Sequence, residues 1–241
     1  GPCRAATQAA AALTHLAHSS TNRDAIREAG GVPLLVALLS EPADVLPLAA
    51  SALQPSYDWL ETATNAAAAL RNMTHNNATN QDCIREAGGV LPLIGLLAQG
   101  ASSSAASRAA DALGGLARNT HRPNQIAIRD AGGIEQLVAL LHAEPIGDAA
   151  TKAAGALKHL AFAFSGNREA IREAGGIEPL VSLLGIRQEM EEDVMIIAGA
   201  LWNLAYNNPN NQDAIREAGG VRLLVQLLQT GAAWKAMPNV V

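Results

Sequence analysis

The chain has 241 residues, of which 49 % are hydrophobic but only 3 % aromatic and 16 % charged, and its formal net charge is −5. That balance argues against a protein that grips nucleic acid through a basic face, no apolar run reaches the roughly 18 residues that cross a bilayer, and the opening residues lack the basic, apolar and cleavage-site order of a secretory signal. Cys3 and Cys83 are the only cysteines; they make no disulfide framework and have no metal-ligand spacing, which points to a reducing compartment, cytoplasmic or nuclear.

In chain order, the first predicted element is an alanine-rich helix over residues 5–17. Alanine has the highest helix propensity and lets helix axes approach closely. The run from Asn22 to Leu39 follows, in which Asn-Arg-Asp-Ala-Ile-Arg-Glu-Ala leads into Gly30-Gly31 and then into Val32, Leu35, Val36, Leu38 and Leu39. Its start predicts a short helix capped by Asn22, with Asp24 in the first turn. The glycine pair stops that helix, and the apolar residues beyond build a second one. The same run returns four times, with its first glycine at Gly88, Gly132, Gly175 and Gly219, and Asn211 and Asp213 repeat the cap in the last copy. Three of the steps are 43 or 44 residues and the first is 58, a period that marks a stacked repeat.

The extra length lies in residues 40–61. Pro42, Pro47 and Pro55 break this insertion, residues 46–53 predict two helical turns, and Tyr57 and Trp59 are expected to anchor it, either as added packing or at the edge of a binding surface. An alanine-rich third helix recurs in every unit and carries the blocks at 12–17, 69–74, 112–117, 156–161 and 200–205, each beginning Ala-Leu. No segment alternates with period two, so no strands are expected. The chain closes on a second helix, residues 221–229, with no third helix after it. Residues 232–241 are expected to fold back as a makeshift cap, or the end of one molecule to dock on the start of the next.

The period, the three-helix grammar and blocks such as Ala200-Leu-Trp-Asn-Leu-Ala205 closely resemble the armadillo repeat family over nearly the whole chain. A HEAT solenoid shares the period range but lacks the short helix ending in Gly-Gly. The resemblance implies an all-α fold: a right-handed α-solenoid of about five armadillo repeats in a single domain, with its first and last repeats incomplete. A lone third helix occupies 3–20, units occupy 21–78, 79–121, 122–165 and 166–209, and an incomplete unit and tail occupy 210–241.

The resemblance also implies that successive third helices line a concave groove that binds an extended peptide. In peptide-binding members an Asn of the third helix grips the ligand backbone through its amide, which offers both donor and acceptor. Asn72 and Asn203 match that position, while His15, Gly115 and His159 stand there in the other units. A Trp one turn earlier, which in the family walls pockets for basic side chains, is replaced by Ala11, Ala68, Asp111, Gly155 and Gly199. A basic nuclear-import signal is therefore not the expected ligand. Helical spacing places positions four and seven before the Asn, and three after it, on the same stripe. This brings Asn65, His75, Arg108, Arg118, Lys152, Phe162 and Tyr206 to the groove, with Trp202 one residue off the stripe.

Arg108, Arg118 and Lys152 face a single stripe acid, Asp111. A basic middle on an acidic protein favours an acidic or phosphorylated partner segment. Phe162, Trp202 and Tyr206 gather scarce aromatics near Gly155 and Gly199, where missing side chains would leave room for an apolar anchor. No P-loop, Gly-x-Gly-x-x-Gly, His-Glu-x-x-His or Gly-x-Ser-x-Gly motif occurs, so no catalytic residue, cofactor or metal site is expected; His15 and His159 read as hydrogen-bonding substitutes for Asn. The expected function is a protein-interaction scaffold whose partner is a protein segment, with no nucleic acid and no membrane insertion, acting as a monomer or in end-to-end assemblies. Two alternatives stay open: an architectural or self-assembling segment, and the substrate-binding part of a ubiquitin-ligase or kinase chain.

Overall fold

A computed structural model describes residues 2–41, 59–143 and 147–236. All regular structure among them is helical. The first helices are α2 (Ser20–Glu28), α5 (Ala78–Glu86), α8 (Arg122–Asp130), α11 (Ser165–Glu173) and α14 (Pro209–Glu217), and each is followed by a second helix, respectively α3 (Gly31–Ala37), α6 (Val90–Leu97), α9 (Gly133–Ala143), α12 (Ile177–Ile186) and α15 (Gly220–Ala236). The third helices are α1 (Pro2–Leu16), α4 (Trp59–Met73), α7 (Ser104–Leu116), α10 (Asp148–Ala161) and α13 (Glu191–Ala205). They lie side by side in chain order, α1 on α4 on α7 on α10 on α13, while the first helices make a row of their own; the second helices α3, α6, α9 and α12 each pack on a third helix, and α15 packs on α14 and α12. The result is an α-solenoid.

Small side chains set this spacing. Ala105, Ala106, Ala109 and Ala110 of α7 are fully buried between α4 and α10. At Gly114 the approach is closer still, since a Cβ there would sit 3.2 Å from the Cα of Ala156, a tight contact with backbone. Leucines of the second helices, such as Leu93, Leu137 and Leu180, fill the space behind without exposure, each burial worth about 2 kcal/mol.

The two glycines that end each first helix do different work. Gly88 takes φ +78°, the left-handed region open to glycine. Gly89 has an ordinary φ, but a Cβ on it would lie 2.9 Å from both the carbonyl oxygen and the Cγ2 of Ile84. The pair therefore lets the chain reverse hard against the isoleucine that plugs the end of its own helix.

The expected caps shift by three residues. Asn208, not Asn211, caps α14, accepting at 3.1 Å from the Asn211 backbone N–H, and Asn77 caps α5 in the same way. Asn22 lies inside α2, whose N-cap is Ser19. The displaced asparagines have a different task. Asn80, Asn124, Asn167 and Asn211 are fully buried, and each donates its side-chain amide to a carbonyl at the end of the preceding third helix: Met73, Leu116, Leu160 and Leu204, at 3.0–3.1 Å. The next residue extends the ladder. Gln81 donates to Gly115 O at 2.9 Å, Gln125 to His159 O at 2.9 Å and Arg168 to Tyr206 O at 2.8 Å, each tying the first helix to the end of the third helix of its own unit. Buried carbonyls at helix ends need such donors.

Two other expectations meet limits. The third helix of the first full unit begins at Trp59, which packs against the core; the predicted turns at 46–53 and the Tyr57 anchor lie outside the described residues. The closing helix α15 continues from Gly220 to Ala236 without a break, so residues 232–236 extend it rather than fold back; its run of Leu223, Leu224, Gln226, Leu227 and Leu228 contains no breaker. Residues 237–241 lie outside the described ones.

Candidate functional site

The third-helix row encloses a cavity of about 580 Å³ over α1, α4, α7 and α10. Its walls bring together His15, His18, Asn65, Asn72, Arg108, Asp111 and Lys152 of the predicted stripe, together with Arg71, Thr64 and Ser104. His75 lies on a smaller neighbouring cavity of about 210 Å³ with His18, Arg23, Arg71 and Asn72. These positions of α1, α4, α7 and α10 thus line one cavity, as helical spacing places them on one face of each helix.

Within the repeated block, the two variable positions have opposite directions. The second reaches back to the preceding third helix. Asn72 donates its Nδ2 to the Thr14 carbonyl oxygen at 2.9 Å, and Asn203 donates to that of Lys158 at 2.8 Å. Both asparagines are buried, 8 % and 5 % exposed. One amide hydrogen of each asparagine at the position that the family resemblance assigns to a ligand is thus engaged between repeats. Thr14 adds a return bond, its Oγ1 donating to Asn65 O at 3.1 Å.

The first variable position reaches forward. Arg71 donates its Nε to Asp111 Oδ2 at 3.0 Å on the next third helix. Lys158 lays its stem over Gly199, where a Cβ would sit 3.0 Å from Lys158 Cε. Gly199 therefore gives its space to a lysine rather than to an apolar anchor. A Cβ on Gly155 would meet Ile196 Cγ2 at 3.7 Å, ordinary packing, so that glycine opens no pocket either. Arg71 and Lys158 were not among the expected site residues. The signal for them was the variable third letter of each Ala-Leu block, which helical spacing alone turns aside from the stripe but which side-chain length returns to the groove floor.

The electrostatics of the groove follow from these pairings. Arg71 neutralises Asp111, while Arg108 and Lys152 have no carboxylate partner among the described residues. Arg118 points at His159, its Nε donating to His159 Nε2 at 3.2 Å. An imidazole that accepts must be neutral, and burial, then the charges of Arg118 and Lys158, lower the His159 pKa to about 4. Burial and the charges of Arg118, Arg23 and Arg71 also lower that of His75. Arg118 thus acts on two imidazoles, one in each of the units that flank its own.

At the far end of the row the predicted aromatics are exposed: Phe162 by 43 %, Trp202 by 62 % and Tyr206 by 54 %. Trp202 and Tyr206 pack edge to face with ring centres 6.4 Å apart. Cys83 is a free, partly buried thiol against the core. Among the described residues no cluster of three His, Cys, Asp or Glu could hold a metal ion, and no helix is long and apolar enough to cross a membrane.

The armadillo/β-catenin-like repeat profile matches residues 164–206, which span α11, α12 and α13. Among solved structures, an engineered protein is 33 % identical, with 92 % of this chain and 82 % of that one aligned and a TM-score of 0.76. Computationally designed armadillo repeat proteins for modular peptide recognition are similar at 26 % identity over 91 % of this chain and 84 % of theirs, with a TM-score of 0.74. A designed armadillo repeat protein in complex with the peptide (KR)4 shares the fold at 24 % identity, over 91 % of this chain and 83 % of that one, with a TM-score of 0.75. No curated protein matches the chain.

Proposed function

Because the chain belongs to the armadillo repeat family, we propose that it is a protein-interaction scaffold whose third-helix groove takes an extended, acidic or phosphorylated segment of a partner protein. The observation that carries this reading is the charge balance of the groove floor. Asp111 is taken by Arg71, and Arg108 and Lys152 line the same cavity without a carboxylate partner among the described residues. On a chain of net charge −5, cations concentrated in a concave site favour an anionic ligand and deter basic ones. Because Asn72 and Asn203 already serve the inter-repeat contacts, the specificity of this groove rests on side-chain charge more than on an asparagine ladder.

The test is a peptide array of acidic, phosphorylated and basic segments probed with the whole chain, followed by Arg108→Glu and Lys152→Glu. Acidic or phosphorylated segments should bind, and each charge reversal should weaken them at least tenfold, or about 1.4 kcal/mol, with the helical circular dichroism unchanged. Selective capture of basic segments, or indifference to both reversals, would defeat the reading.

A further inference from the structure

We infer that the groove reads a two-part segment, an acidic or phosphorylated residue at Arg108 and Lys152 and an aromatic or branched aliphatic residue on Met195, Trp202 and Tyr206, the two about six residues apart along an extended chain. This rests on the groove reading proposed above and adds to it a second anchor and a spacing.

Met195 and Trp202 are two helical turns apart and so share one face of α13, and Tyr206 caps the C-terminus of that helix beside Trp202. They are 64 %, 62 % and 54 % exposed, an unusual concentration of large apolar surface for a chain with 3 % aromatics. The repeat register places this face on the groove. Met195 and Trp202 are the counterparts of Thr64 and Arg71, both of which line the cavity between α1 and α10. Inner counterparts of Trp202 lie across the next third helix, as Arg71 does on Asp111 and Lys158 on Gly199. The Trp202 indole itself rests edge-on against Tyr206. A paired, pre-ordered indole and phenol lose little conformational freedom on contact, which is what makes aromatic pairs good anchors.

Charge selects the same partner segment as the occupant. Glu191, Glu192 and Asp193 form the first turn of α13, and the two glutamates are exposed. An anionic segment leaving Lys152 is repelled from that end of α13 and drawn diagonally toward its other end, where Lys158 lies over Gly199 and the aromatic pair begins. Trp202 is the counterpart of Lys158, six residues further along its helix than the level of Lys152. With third-helix axes about 9–10 Å apart and a rise of 1.5 Å per residue, the diagonal from between Arg108 and Lys152 to Trp202 and Tyr206 is about 18 Å. An extended chain covers that in five or six residues at about 3.3 Å each.

Fluorescein-labelled peptides with one phosphoserine, a Gly/Ser spacer and one Phe, made in both chain directions at separations of about two, six and twelve residues, test this by anisotropy against Phe→Ala controls. The six-residue peptide should bind about tenfold more tightly than its control, and Trp202→Ala should remove that gain while leaving the control unchanged. The inference is overturned if Phe adds nothing at any separation, if the gain survives Trp202→Ala, or if sedimentation shows that Trp202 is covered by a second copy. Control peptides that fail to bind, or that bind equally to Arg108→Glu, would instead overturn the groove reading itself and this inference with it.

Discussion

Asn72 and Thr14 stand 58 residues apart in the chain, yet the Asn72 side-chain amide donates to the Thr14 carbonyl oxygen at 2.9 Å. Asn203 repeats the bond to Lys158. The position that the family resemblance assigns to ligand contact therefore ties neighbouring third helices together, and removing it has a structural cost. Asn72→Ala and Asn203→Ala should each lower stability by about 1–3 kcal/mol, the cost of a buried carbonyl left without its donor. Urea unfolding with a reduced midpoint and an unchanged slope would show it; unchanged midpoints would mean that these bonds contribute nothing net.

The glycine pairs yield a graded expectation. Gly88→Ala puts a Cβ into open space at φ +78° and should cost about 1–2 kcal/mol of backbone strain. Gly89→Ala meets Ile84 O and Cγ2 at 2.9 Å and Val36 Cγ2 at 3.1 Å, so it displaces packing of two units and should cost more. Thermal unfolding of the two variants side by side orders them; the reverse order would refute the division of roles.

Ala163 occupies the left-handed region at φ +53°, where Asn76 and Asn207 stand at the matching turns of other units. Alanine carries the Cβ penalty there, and asparagine tolerates it better. Ala163→Asn or Ala163→Gly should therefore raise stability by about 0.5–1 kcal/mol, read as a higher melting temperature. The contact of Arg122 with the Ala163 carbonyl involves backbone and survives the change.

His159 makes stability depend on pH. Its folded pKa of about 4 lies below the ordinary 6.5 because of burial and the charges of Arg118 and Lys158. Between those values the unfolded chain binds a proton that the folded one refuses, so stability falls as pH drops from about 6.5 toward 4, by up to about 2–3 kcal/mol. His159→Asn removes the titrating group and should flatten the loss over that window. An equal slope in both proteins would assign the acid sensitivity elsewhere.

Much of this architecture was legible in the residues alone. The 43- to 44-residue period, the glycine stops and the alanine-rich blocks specified three helices per unit, because helix propensity, left-handed glycine and apolar spacing act locally. The stripe residues Asn65, Asn72, Arg108 and Lys152 were likewise readable, since one helix face follows from spacing alone, and the structure gathers them on one cavity. Which hydrogen-bonding groups remain available depends on neighbouring units, and only the tertiary structure decides that. Stacking turns Asn72 and Asn203 back onto the previous helix, lays Arg71 on Asp111 and Lys158 on Gly199, and leaves Trp202 in the open. The physical reason is that a repeat's side chains find their partners about 40 residues away, where the local spacing of one helix cannot see what the next helix has lost or gained.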